Sequence, residues 1–158
     1  MAAPLNLDRI DLRILKKLQE NGKITNLQLS SDVGLSTAPT LERVRKLESH
    51  GYIKGYHAVL NEGMLGISIQ AFVMVTLRRH AENSFDEFSR AVNGIREVME
   101  VYLLTGDSDY LLKVVAKDIQ SFQFLLTDKL GKIESITQMK TMVILNNIKK
   151  SSVLPLDY

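Results

Sequence analysis

Apolar residues recur at helical spacing through the first third of the chain and alternate with other residues soon after it. Ile10, Ile14, Leu15 and Leu18 share one face of a helix predicted from about Asp8 to Glu20 and closed by Asn21-Gly22. Thr25 stands three residues before Gln28, the spacing of a capping box, and opens a short helix that ends near Gly34. Ser36 is placed to cap the next helix. That helix accepts Pro39 because its earliest N–H groups have no intrahelical acceptor, and Gly51 offers the stop. At helical spacing Leu41, Val44, Leu47 and Glu48 form a mainly apolar face. Pro39, Glu42, Arg43 and Lys46 lie opposite, with Ala38 and Arg45 flanking. Tyr52 to Leu60 has strand propensity and predicts a short hairpin or wing, and Asn61 to Gly66 holds two glycines and no periodicity, as a hinge would.

Beyond the hinge the period changes to two. Ile69, Ala71, Val73, Val75 and Leu77 alternate along a strand whose second face, with Phe72 and Met74, is also partly apolar. A helix follows over Ser84 to Val92, with Phe85, Phe88 and Val92 on one face. Strands are expected at Arg96 to Leu104 and Tyr110 to Ala116, joined by Thr105-Gly106-Asp107-Ser108-Asp109, a run of turn formers. Asp118 caps a second helix running to Leu130, with Ile119, Phe122, Leu126 and Leu130 inside, and the last strand spans Ser135 to Asn146. The order β-α-β-β-α-β is the ferredoxin-like pattern. The chain therefore reads as α+β. A winged helix-turn-helix domain occupies residues 1–60, a hinge 61–67 and a ferredoxin-like domain 68–158.

The paired helices fit a DNA-reading head, in which apolar positions lock the second helix in place while arginine or lysine reaches bases and phosphates. They also fit a small helical bundle whose arginines are only solvated. The net charge of +2 is too small to choose between these. Its placement is more telling. Residues 1–62 carry nine Lys or Arg against seven Asp or Glu, and residues 63–158 carry eleven of each. One head with so slight an excess would bind duplex weakly, and two heads on a dimer would double the phosphate contacts. Apolar residues on both faces of the first and last strands favour a two-fold dimer through the uncovered sheet face. A larger intramolecular core is the alternative.

With no cysteine and three scattered histidines, neither a disulfide nor a cysteine-based metal site is expected. No signal peptide or membrane span is evident, so a cytoplasmic location is expected. Asp107 and Asp109 lack a third carboxylate or histidine nearby, and no nucleophile elbow or phosphate loop is present, so no catalysis and no cofactor are expected. A small-molecule site is a stronger candidate. Backbone N–H groups and a hydroxyl in Thr105 to Asp109, with Asp107 or Asp109 to meet an ammonium group, suit the two charged ends of an amino acid. The same residues also suit an ordinary capped turn.

The chain resembles the leucine-responsive and asparagine-type (feast/famine) transcription regulators of bacteria and archaea. The likeness rests on Leu7-Asp8-Arg9-Ile10-Asp11, Gln19-Glu20-Asn21-Gly22-Lys23-Ile24, Gly34-Leu35-Ser36 and Leu41-Glu42-Arg43-Val44-Arg45-Lys46-Leu47-Glu48. It continues through Gly51-Tyr52-Ile53-Lys54-Gly55-Tyr56 and Thr105-Gly106-Asp107-Ser108-Asp109-Tyr110-Leu111-Leu112-Lys113, covering about Leu7 to Asn147. The resemblance implies a regulator that binds double-stranded DNA, forms homodimers through its C-terminal sheets and assembles further, often to octamers. It implies a small amino acid effector bound between dimers near Thr105 to Asp109. Ser36, Thr37, Pro39, Arg43, Arg45 and Lys46 then become candidates for DNA contact, and Thr105, Gly106, Asp107, Ser108, Asp109 and Met139 for effector contact. Leu130-Gly131-Lys132-Ile133 departs from the family in lacking a Pro-Gly before the final strand. Leu103, Leu104, Leu111 and Met139 suggest a hydrophobic effector such as leucine or methionine, or else ordinary sheet packing. The alternatives are an effector-independent DNA-organising protein and an amino-acid-sensing interaction module that binds no DNA.

Overall fold

The computed structural model describes residues 6–78 and 84–156. His80 and the last two residues of the expected second domain lie outside them. The chain divides into two compact units, residues 1–59 with 149–158, and residues 60–148.

Three helices build the first unit: α1 (Arg9–Glu20), α2 (Asn26–Val33) and α3 (Thr37–Ser49). Ile14, Leu29, Val33 and Leu47 form its buried centre, with Leu7, Ile10, Leu15, Leu18, Val44 and Ile53 packed around them. The complete capping box belongs to α1, where the Asp8 carboxylate accepts from the Ile10 and Asp11 N–H groups and Asp11 reaches back to the Asp8 N–H. The box expected at Thr25 is half made. The Thr25 hydroxyl accepts from the Gln28 N–H, but the Gln28 side chain is drawn to Asp32 at 2.7 Å. Gly34 closes α2 at φ 77°, a left-handed conformation that disfavours any residue with a Cβ. The expected wing strands are not formed, and residues 53–61 carry neither helix nor strand. Their apolar side chains are largely exposed, with Val59 87% and Leu60 62% accessible, and no strand among the described residues is paired with them. Residues 149–158 were expected in the second domain, yet they group with the first because Leu154 is hydrogen-bonded to Gln19 on α1.

In the second unit, β1 (Ile69–Leu77), β2 (Val98–Leu103), β3 (Tyr110–Ala116) and β4 (Ile136–Val143) form one antiparallel sheet in the order β2-β3-β1-β4. This is the ferredoxin-like order. Ala71, Val73, Val75 and Leu77 of β1 and Leu112, Val114 and Ala116 of β3 point to the covered face. There they meet Phe88 and Val92 of α4 (Ser84–Asn93) and Phe122 of α5 (Ile119–Phe124). Phe85, expected on the same face as Phe88 and Val92, is 54% exposed, and its ring lies 6.1 Å from that of Tyr110, which is 4.5 Å from that of Phe88. After Phe124 the helix widens into a π turn over Leu125–Lys129 and tightens into a 3-10 turn over Leu130–Lys132. Phe122, Leu125 and Leu130 are therefore the buried positions, while Ile119 is 59% exposed. The interval from Leu125 to Leu130 is the spacing of a π turn.

Candidate nucleic-acid interface and effector turn

The outward face of α3 follows from which residues hold it down. Thr40 and Leu47 are fully or almost fully buried, and Val44 is half-buried beside them. Thr40 can lie inside because its hydroxyl donates to the Ser36 carbonyl at 2.9 Å, so no polar group is orphaned. Leu41, expected on the mainly apolar face, is 40% exposed. The helix is thus rotated by about half the angle between neighbouring residues (~100°) from the expected setting, and Ala38, Glu42, Arg45, Lys46 and Ser49 point to solvent. Across the turn before α3, the Asn26 side-chain amide donates to the Thr37 carbonyl at 2.8 Å and ties α2 to the start of the helix. Ser36 occupies the N-cap position without a side-chain cap bond, which leaves its hydroxyl for another acceptor.

The six candidates for DNA contact separate by geometry. Ser36, Thr37, Arg45 and Lys46 are exposed and Pro39 is half-buried. Arg43 instead turns toward α1, where its Nη1 donates to Asp8 Oδ2 and Asp11 Oδ1, both at 2.7 Å. The Asp11 N–H and then Arg43 hold the Asp8 carboxyl below the usual carboxylate range, and Asp8 and then Asp11 hold the guanidinium still more firmly protonated. Arg43 therefore links α3 to the capping box of α1. Arg45 and Lys46 make no side-chain hydrogen bond or ion pair among the described residues and are free to meet an external anion.

Within the turn that joins β2 to β3, Thr105, Gly106 and Asp107 are exposed and Ser108 half-buried. Gly106 has φ 122°, a backbone setting that L side chains rarely adopt. Asp109 is committed to the fold: its N–H donates to the Val75 carbonyl, its carbonyl accepts from the Leu104 N–H, and its Oδ2 accepts from the Leu77 N–H at 2.7 Å. Asp107 remains the carboxylate directed outward. Leu103, Tyr110, Val75 and Met139 form one cross-strand row on the helix-covered face, whereas Leu111 pairs with Met74 and Tyr102 on the other face. The four apolar residues therefore do not converge in one chain. Met139 lies three strand spacings, about 14 Å, from Leu103. That uncovered face carries Phe72, Met74, Leu111, Val115, Tyr102 and Met142, and the Lys113–Glu100 ion pair at 2.6 Å crosses it.

Residues 7–54 match the winged helix-turn-helix DNA-binding family, and residues 70–154 match the Lrp/AsnC ligand binding domain. The chain belongs to the Lrp/AsnC family. It is a DNA-binding transcription regulator, with the family's reading head and ligand-binding domain in one chain. The leucine-responsive regulatory proteins of Escherichia coli K12 and Salmonella typhimurium are each 43% identical to it over 149 residues, covering 94% of this chain and 91% of theirs. A transcriptional regulator from Neisseria meningitidis, solved as a complex with L-Met, superposes with a TM-score of 0.93 at 35% identity, covering 96% of this chain and 98% of that one. AsnC of E. coli gives 0.87 at 25% identity, covering 96% and 100%.

Several residues of the Lrp/AsnC head have a structural role that their place in a matching run does not reveal. Asp8 and Asp11 read as helix-start acids, and nothing local shows that they receive a side chain from residue 43. Gln19 reads as an ordinary helical polar residue, although its amide binds the chain terminus. No helix among the described residues is long and apolar enough to cross a membrane, and no cluster of three or more metal-ligating side chains occurs among them.

Proposed function

We propose that the chain reads operator DNA as a homodimer, with α3 of each head in a major groove and with dimers assembling further, to an octamer. In this reading a hydrophobic amino acid, leucine or methionine, adjusts DNA binding. The observation that carries the DNA arm is the set Ser36, Thr37, Arg45 and Lys46 at the free start and outer face of a helix whose other side is pinned by Thr40, Leu47 and Arg43. Ser36 and Thr37 suit phosphate oxygens, and Arg45 and Lys46 suit base edges or phosphates. Arg43 acts through the placement of α3. The uncovered sheet face supports the dimer arm, since six apolar or aromatic side chains on one face are the kind of surface that associates.

The effector arm rests on the turn. Asp107 suits the ammonium group, the N–H groups near Gly106 suit the carboxylate, and Leu103, 70% exposed at the strand end, offers apolar contact. Asp109 keeps the turn in shape. A second copy must complete such a site, because Met139 and Leu111 lie too far apart, or on the wrong face, to close it within one chain. An effector bound at a boundary between copies stabilises the assembly containing that boundary, and spacing between heads then alters DNA affinity through multivalency. The function requires no cofactor or catalysis and suits the cytoplasm. Duplexes selected from a random pool by the full chain should share a two-fold motif, and sedimentation of the protein with each amino acid in turn should show one or a few that shift the assembly and the affinity. No enrichment of any duplex would overturn the reading.

A further inference from the structure

The chain passes between its two compact units twice, once near residue 60 and again near residue 148, because the C-terminal segment returns to the head. What holds the return is a main-chain fork. The Gln19 amide Nε2 donates to the Leu154 carbonyl at 2.8 Å, and the Leu154 N–H donates to Gln19 Oε1 at 2.9 Å. Pro155 follows Leu154, and a residue before proline is confined to extended backbone, where its own N–H and carbonyl point to the same side. A carboxamide is the side chain that offers a donor and an acceptor together to such a pair. The approach is set as well, since the Ser151 hydroxyl accepts from the Val153 N–H. Leu154 keeps 66% of its surface exposed, so the main chain rather than this side chain is recognised. Leu156 is half-buried and, with Leu7, Leu12, Leu15, Leu18 and Tyr52, lines a cavity of about 430 Å³ in the head.

We propose that residues 151–156 are a latch: by gripping Leu154 through two hydrogen bonds, Gln19 gives the reading head a second tether and limits its swing. A head on one linker samples a wide volume, and a head on two samples less of it. When two heads must engage two half-sites, the narrower distribution raises the effective concentration of the second head without adding a DNA contact. This role rests on the dimeric DNA-binding reading, whereas the latch itself does not.

The test uses the full chain and its Gln19→Met variant, which keeps the length of the side chain but loses both the donor and the acceptor. Residue-resolved amide exchange should show Leu154 protected in the unaltered chain and losing that protection in Q19M. A Leu154 amide that exchanges equally fast in both overturns the latch. Affinity is then measured for a selected duplex and for one half of it. Q19M, and a chain lacking residues 151–158, should lose roughly threefold or more on the two-site duplex and nothing on the half-site. An unchanged ratio, or an equal loss on both duplexes, overturns the role in head placement. If the unaltered chain binds neither duplex, the DNA reading fails while the exchange result still decides the latch.

Discussion

Replacing Arg45, Lys46 and Arg43 one at a time with glutamine separates contact from placement, because the three sit within one turn of α3 and differ in what they touch. Arg45 and Lys46 are exposed with no side-chain partner among the described residues, whereas Arg43 is held at 2.7 Å by two carboxylates. Each phosphate contact contributes about 0.9 to the slope of log affinity against log salt, so in the proposed dimer, with both residues on phosphates, the two heads would together supply a slope of about 3.6. Between about 50 and 200 mM salt that share alone lowers affinity about 150-fold. Arg45→Gln or Lys46→Gln removes one contact from each head and should reduce the slope by about 1.8, leaving a fall of about 12-fold from the remaining pair. Arg43→Gln should leave the slope within about 0.3 of the original, since it removes no DNA contact. Its cost appears elsewhere. Asp11, only 17% exposed, loses its cation, and the head should melt at lower temperature. Fluorescence anisotropy on a selected duplex at five salt concentrations, with thermal unfolding of each variant, supplies both readouts. A slope for Arg43→Gln as low as that for Arg45→Gln, with an unchanged melting temperature, would refute the division of labour.

Other substitutions probe the rest of the chain. Asp107→Ala should abolish the amino acid response with thermal stability unchanged, and Asp109→Ala should lower the melting temperature by stranding the Leu77 N–H; isothermal titration and calorimetry would show whether the two effects separate in this way. Gly131→Ala places a Cβ 2.9 Å from the Leu126 carbonyl oxygen and should destabilise the second unit by about 1–3 kcal/mol, measured by chemical unfolding. The Glu97 carboxyl is held below its ordinary range chiefly by the Lys129 ammonium at 2.6 Å. Its contribution is complete above the unfolded value, about pH 4, and is lost as pH falls through the lower folded value. Glu97→Gln should therefore flatten the stability of the second unit against pH below about 4.5 and leave the alkaline side unchanged.

How far the sequence carries the fold can be traced through α3 and α5. Apolar spacing is enough to find both helices, because a half-buried helix needs a stripe on one face. The rotation of α3 escapes that argument. A threonine whose hydroxyl bonds its own helix backbone can serve as an inner residue, so Thr40 is buried and Leu41 half-turned to solvent with no trace in a hydrophobic pattern. After α5 the buried positions Leu125 and Leu130 stand five residues apart across a π turn, a step that a fixed period of 3.6 does not reproduce. The strands are legible for the opposite reason. Their buried rows keep a strict period of two through Val73, Val75, Leu112 and Val114, since pairing on both sides leaves little freedom to slip.

The site residues divide along the same line. Ser36, Thr37, Arg45, Lys46 and Asp107 are legible as candidates because an external ligand needs a charge or hydroxyl that the fold leaves free. Arg43 and Asp109 have the same chemistry but spend it inside the chain, on partners 32 to 35 residues away in sequence. Distance along the chain hides those partners, and only three-dimensional structure separates a reading arginine from a positioning one. The consequence is physical as well as interpretive. With Arg43 neutralised by two carboxylates, each head offers two free cations on α3, too few to hold duplex firmly at ordinary salt. In the proposed assembly, the modest charge of the chain would make occupancy of DNA depend on how many heads are presented together, the quantity that an effector bound between copies would change.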